Sequence, residues 1–230
     1  MTRAVLRAVV RAQEQKDGYW LTRHDPSSRF RPSSRSIVST GQVPATAWRN
    51  GAGNTREIAA FRSAGSTVDF AWRVSVADLA RNAPFSRLPG VDRTLLIASG
   101  DGIVLDVAGT STQLDERAIL VFSGEDDAAV TLSHGPAVAV NLMTARSRCS
   151  GGMDVLPVEG ARTLGPATAV VLVLEGSART AGGEVLRSMD FLLCGLGTET
   201  LEFTAAVALF ISIRGGDRAE PPPALNTSVR

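Results

Sequence analysis

Three arginines, Arg56, Arg73 and Arg93, stand beside or inside runs of alternating apolar residues. A guanidinium offers a planar fork of donors that matches a carboxylate or phosphate through two bonds at once. Arg56 lies in WRNGAGNTREIAAF (48–61), where Gly51 and Gly53 flank Ala52. A glycine-rich loop raises phosphate binding first. That chemistry needs a strand before the loop, a helix N-terminus after it, and a lysine and a hydroxyl at fixed offsets. Here no lysine follows Gly53, REIAAF is too short for a crossover helix, and the βαβ pattern is missing along the chain. The glycines read instead as a tight turn that uses positive φ.

Arg73 lies in DFAWRVSV (69–76). Strand alternation puts Phe70, Trp72, Val74 and Val76 on one face and Ala71, Arg73 and Ser75 on the other. If the interior takes the arginine face, the buried charge needs a partner. If it takes the aromatic face, Arg73 is solvated, and hydrophobicity alone favours that arrangement. A pocket holding Arg, Asn and Ser, walled by Trp and Phe, suits a small organic acid.

Other chemistries find little support. The two histidines are His24, in a basic leading segment, and His134, in the turn Ser133–Pro136. They share no ligand motif. Glu125, Asp126 and Asp127 read as a solvated turn. No G-x-S-x-G elbow exists for a serine nucleophile. Cys149 and Cys194 read as buried free thiols in a reducing compartment, Cys194 within the apolar run FLLCG. A metal-free acid–base enzyme using Glu57 or Asp92 stays open.

These residues are carried by many short apolar runs. TLLIASGDGIVLDV (94–107) predicts strand, tight turn, strand, with Asp101-Gly102 at the turn. Further strands are expected in 118–133, 136–143, 167–178, 183–195 and 200–214, with a break at SRCSGGMDVLP. SVADLARNA (75–83) reads as a short helix, and 2–15 as a short amphipathic helix. The pattern predicts an all-β sandwich or barrel, duplicated over two halves.

The chain has 230 residues and a net charge of +1, so bulk charge favours neither nucleic acid nor an acidic partner. Residues 1–35 carry eight basic and three acidic residues, a local net of +5. This arm reads as a floppy extension or as the product of an upstream start, with a nucleic-acid arm conceivable from charge alone. No run approaches a membrane span, and no secretory leader is recognisable, so a cytoplasmic location is expected.

WRNGAGNTREIAAF, FAWRVSVADLARNAPFSRLPGVDR and VAVNLM together resemble the HutD/Ves family, over about 40–147 and in order. Ala52 departs from the middle glycine of that pattern, Asn82-Ala83 from an acidic residue and glycine, and Ala139 from an aspartate. The resemblance implies a bicupin: two RmlC-like jelly-roll β-barrels with few short helices. With the strand pattern and the composition of the two termini, it divides the chain into a basic extension (1–36), a first barrel (37–147), a second barrel (148–215) and a disordered tail (216–230). It also implies no established catalysis and a role in histidine utilisation or stress response. The expected ligand is a small carboxylate such as urocanate or formylglutamate.

On that reading Arg56 and Arg93 grip the acid, and Asn50, Ser75 and Asn141 hydrogen-bond it. Trp48, Trp72 and Phe85 wall the pocket. Ser86 and Asp92 complete the set, with Asp92 and Glu57 orienting the arginines. No metal or other cofactor, nucleic acid or membrane is expected. The fold suggests a homodimer formed through sheet edges.

Overall fold

A computed structural model describes residues 6–7, 31–32, 34–62 and 68–215. The strands are β1 (Leu6–Arg7), β2 (Ser36–Ser39), β3 (Thr46–Ala47), β4 (Gly53–Arg62), β5 (Phe70–Leu79), β6 (Ala83–Pro84), β7 (Val91–Ser99) and β8 (Ile103–Val107). They continue as β9 (Thr110–Leu114), β10 (Ile119–Ser123), β11 (Ala128–Leu132), β12 (Ala137–Ala145), β13 (Cys149–Thr163), β14 (Thr168–Thr180), β15 (Val185–Leu186), β16 (Asp190–Leu193) and β17 (Thr200–Gly215). The chain is all-β, as its periodicity predicts; a single 3₁₀ turn at Thr40–Gln42 is the one helical piece among the described residues.

The strands form three sheets. The first runs β1-β7-β12-β5-β4-β3, with β10 also on β7; the second runs β6-β11-β8-β9; the third runs β13-β17-β14-β16-β2, with β15 on β14. Each order is open, so no closed barrel forms among the described residues. The first sheet lies in the middle. One of its faces packs on the second sheet through Leu95, Ile97, Ile103, Leu105, Phe122 and Val130. Its other face packs on the third sheet through Trp72, Val74, Leu142, Val170, Leu209 and Ile211. Both faces of its central strands are therefore apolar for most of their length.

Several local expectations are corrected. SVADLARNA is strand through Leu79, because β4 and β12 flank it and pair with it on both sides. Two complete ladders outweigh the weak helical preference of this segment. The segment called a break, SRCSGGMDVLP, lies largely in β13, a sheet-edge strand of 15 residues. An edge tolerates Pro157, and Gly151 is needed because a Cβ there would sit 2.8 Å from the Ser212 carbonyl oxygen. β7 and β8 flank the expected turn but join different sheets, as do β10 and β11. The tight two-residue hairpin is instead β8–β9, with Ala108 at φ 51° and Gly109 at φ 79°.

β2 pairs with β16, so residues 36–39 belong to the sheet built from the C-terminal strands. The helix expected over 2–15 lies outside the described residues except Leu6–Arg7, a strand parallel to β7. The tail 216–230 lies wholly outside them. No described helix is long and apolar enough to cross a membrane.

Candidate functional site

On the face of the first sheet toward the second, three strands align their polar residues in rows. Met143 of β12 pairs with Arg73 of β5 and with Arg93 of β7. One step along, Asn141 pairs with Ser75 and with Leu95. Side chains directly opposite one another leave the same face. Ladder spacing puts the two arginine Cα atoms about 10 Å apart, with Met143 between them.

These rows form the floor of a cleft of about 640 Å³. Trp48, Asn50, Thr55, Phe85, Ser86 and Leu88 supply its walls. Three arginines (Arg49, Arg73 and Arg93) line it and no carboxylate does. Ser75 and Asn141 are buried at its base.

Arg93 is only 6% exposed. Its guanidinium lies between the rings of Phe85 and Phe122, 5.0 Å from each centroid. One Nη donates to the Ser86 carbonyl at 3.1 Å, and its buried Nε finds no partner among the described residues. Burial away from water, and then the nearby Arg73 cation, pull Arg93 down to about 10. It remains charged at neutral pH. A desolvated cation with a free donor, beside a second cation, is poised for an anion.

Arg73 is held differently. It forms an ion pair with Glu57, which also meets Arg62 at 3.3 Å, and it lies over the Phe70 ring. Burial pulls Arg73 down from its ordinary value, and Glu57 partly restores it. Of the two arrangements open in the sequence, the structure takes neither in pure form. The aromatic-side residues Trp72, Val74 and Val76 are buried against the third sheet, and Arg73, Ser75 and Ala77 face the cleft. A register shift opposite Phe61/Arg62 brings Phe70 to the arginine's side.

The turn in WRNGAGN brings Trp48 and Asn50 to the rim. Trp48 N donates to the Gly53 carbonyl and Gly51 N to the Trp48 carbonyl. Gly51 has φ 66°, the left-handed conformation expected of it. Gly53 has a different reason: a Cβ there would lie 2.3 Å from the Asp78 carbonyl oxygen. Ala52 is buried in the core between the first two sheets, which explains why a side chain stands at this position. Asn50 Oδ1 accepts from Ala52 N at 3.1 Å, so its carbonyl end is spent on the turn. Trp48 Nε1 donates to Thr55 Oγ1 at 2.7 Å, and its ring meets Phe85 edge-on.

Of the ten candidate residues, the cleft gathers Trp48, Asn50, Ser75, Phe85, Ser86, Arg93 and Asn141. Three stand elsewhere. Trp72 is in the core between the first and third sheets. Arg56 pairs with Asp78 at 2.5 Å and does not line the cleft. Asp92 accepts from Arg146 Nε at 2.7 Å, again outside the lining. In strict alternation Arg56 and Glu57 point opposite ways, and β4 carries its own register shift at Glu57/Ala59. Arg73, Thr55, Leu88 and Met143 were not among the ten. The pairing of Arg73 with Met143 and Arg93 would have exposed the first, but register is not readable from one strand.

Glu57, the other carboxylate considered as a base, is spent on Arg73 and Arg62. Among the described residues no three His, Cys, Asp or Glu side chains gather as a metal site. Both cysteines are buried thiols outside any disulfide, and Cys149 Sγ donates to the Ala71 carbonyl at 3.2 Å. Burial pushes the Cys194 thiol up to about 12, so it is a poor nucleophile.

Relatives share this chain's pattern. The HutD family model matches residues 40–211. Protein Ves of Citrobacter koseri is 37% identical over 138 residues, 59% of this chain and 71% of that protein. An uncharacterized 21.2 kDa protein of Pseudomonas putida, described as lying in the hutC 3' region, is 31% identical over 67% of this chain and 83% of its own length. The structure of HutD from Pseudomonas fluorescens SBW25 superposes with a TM-score of 0.67 at 27% identity, covering 80% of this chain and all of that one. The match of the family model across all three sheets, with these relatives, places the chain in the HutD/Ves family.

Proposed function

We propose that this protein binds a small carboxylate metabolite in the cleft and does not transform it. On this reading it is a bicupin of two jelly-roll halves, acting as a regulator or accessory protein of histidine utilisation or of a stress response. The observation that carries the ligand class is Arg93. It is a buried cation, clamped by two rings, with an unpartnered donor and no carboxylate along the cleft. A carboxylate entering there supplies the acceptor that Arg93 lacks and offsets the repulsion from Arg73. Arg73 takes the role first given to Arg56 and meets the acid or a second acceptor group across Met143. Ser75 and Asn141 hydrogen-bond the ligand, and Trp48, Phe85 and Leu88 cover its apolar body.

The pathway reading is supported by the family and by the hutC-region description of one relative. Urocanate and N-formylglutamate are therefore the first probes. A thermal-shift panel would compare each acid with its neutral amide. Stabilisation by the acid alone is expected. Equal shifts from acid and amide would refute an arginine-based carboxylate site.

A further inference from the structure

One wall of the cleft is the loop 85–90 between β6 and β7. It supplies Phe85, Ser86 and Leu88 to the lining, and its Ser86 carbonyl holds Arg93. The loop has no regular structure of its own, so its position depends on what it binds. Phe85 N donates to the Ala128 carbonyl at the start of β11 at 2.8 Å, and the rest of the loop is held by the turn after β10. Leu88 N donates to the Gly124 carbonyl at 2.6 Å, and Gly124 N donates to the Val91 carbonyl at 2.7 Å. Gly124 is required there, because a Cβ would sit 2.4 Å from the Leu88 carbonyl oxygen. Backbone thus lies directly on backbone.

Glu125 is the hub of this contact. Its carboxylate accepts Gly90 N at 2.6 Å and pairs with Ser123 Oγ and with Arg146. Its own carbonyl accepts Arg87 Nε at 2.7 Å. Arg146 then returns to the loop. Its backbone N donates to the Gly90 carbonyl and its Nη2 to the Val91 carbonyl, while its Nε holds Asp92, the residue before Arg93. The carboxylates Asp92 and Glu125 and the cation Arg146 therefore form one clamp around both ends of the segment that presents Arg93.

We propose that Glu125 is a positioning residue of the cleft: through Gly90, Arg87 and Arg146 it fixes the 85–90 loop, and through Ser86 and Phe85 that loop fixes Arg93. This rests on the carboxylate-binding reading of the cleft. Glu125 itself does not line the cleft. Its sequence context, Glu125-Asp126-Asp127, looks like a solvated acidic turn, and only the fold shows what its first carboxylate holds.

The test compares wild type with Glu125→Ala, Glu125→Gln and, as a control, Glu175→Ala, which breaks a surface pair with Arg117 far along the chain. Two quantities are read: urocanate affinity by calorimetry, and hydrogen exchange at the Leu88 and Gly90 amides. Glu125→Ala is expected to weaken urocanate by roughly tenfold, the loss of one charge-assisted contact expressed as affinity. It should also speed exchange at both amides. Glu125→Gln keeps an acceptor for Gly90 N and should fall between. Glu175→Ala should change neither. If urocanate fails to bind even wild type while the exchange pattern holds, the carboxylate reading falls and the positioning role stands. If Glu125→Ala leaves Leu88 and Gly90 exchange at wild-type rates, the positioning role is overturned whatever the affinity.

Discussion

Arg73 and Arg93 flank Met143 in one cross-strand row, so two cations from different strands open onto a single cleft. They are not equivalent. Among the described residues each keeps a buried Nε without a partner, but Arg73 is ion-paired with Glu57, whereas Arg93 has no ion pair there and is braced by Phe85 and Phe122. The pair thus combines a compensated cation with an uncompensated one. Affinity for an anion should come mainly from the second, where the ligand removes an existing electrostatic penalty.

Arg56 should be dispensable for ligand. Arg56→Ala removes an ion pair with Asp78 whose two side chains are 26% and 34% exposed. The cost to stability is expected to be about 1 kcal/mol or less. Chemical denaturation with and without urocanate checks both statements. A wild-type urocanate-induced increment in Arg56→Ala is the expected result.

Gly53 and Gly51 should respond to alanine for different reasons. At Gly53 the added methyl meets the Asp78 backbone, which belongs to a strand paired on both sides and cannot withdraw. Gly53→Ala is expected to cost about 1–3 kcal/mol. At Gly51 there is open space, and only the positive φ resists a side chain. Gly51→Asn should therefore be tolerated, since asparagine accepts the left-handed region. Denaturation midpoints of the two variants give the comparison.

Acid should loosen the clamp around the cleft late. The hydrogen bonds from Arg146, and then those from Ser123 and Gly90, hold the Glu125 carboxyl down at about 2. Its ordinary unfolded value is about 4.3. A carboxylate depressed by folding contributes stability that is fully present above the unfolded value and is lost as pH falls through the folded one. The melting-temperature difference between wild type and Glu125→Gln should be largest above about pH 5 and vanish near pH 2. The gap should also shrink with salt, because this carboxylate is partly exposed. A difference that grows on acidification would contradict the arrangement.

Much of this was legible in the sequence and some was not, for identifiable reasons. Period-two alternation in DFAWRVSV and the apolar run PAVAVNLM mark strands, and glycine, aspartate and serine punctuation marks their ends. SVADLARNA misled because local preference favoured helix while ladders on both sides imposed strand. SRCSGGMDVLP misled because its two glycines and Pro157 look like a linker, whereas a sheet edge accommodates both. Within the cleft, Arg93 is legible as an arginine beside a strand and Ser75 as a neighbour of Arg73 on one face of DFAWRVSV, while Asn141 is marked by the VAVNLM block of the family resemblance. For Arg73, comparing the hydrophobicity of the two strand faces identifies the buried one only where a single face is buried. The first sheet is packed on both sides, so the aromatic face could be core without exposing the other. Arg56 is held away from the cleft by Asp78, a partner on another strand that its own segment does not reveal.

The central claim is that Arg93 binds the carboxylate, and the most direct measurement is calorimetric titration of urocanate into wild type and Arg93→Ala, with melting temperatures recorded for both. A hydrogen bond to a charged group is worth about 1.5–3 kcal/mol, so the variant should lose at least about tenfold in affinity. It should do so while remaining folded, since Arg93 makes no ion pair among the described residues. Urocanate binding of equal strength in Arg93→Ala, with the fold intact, would contradict the account.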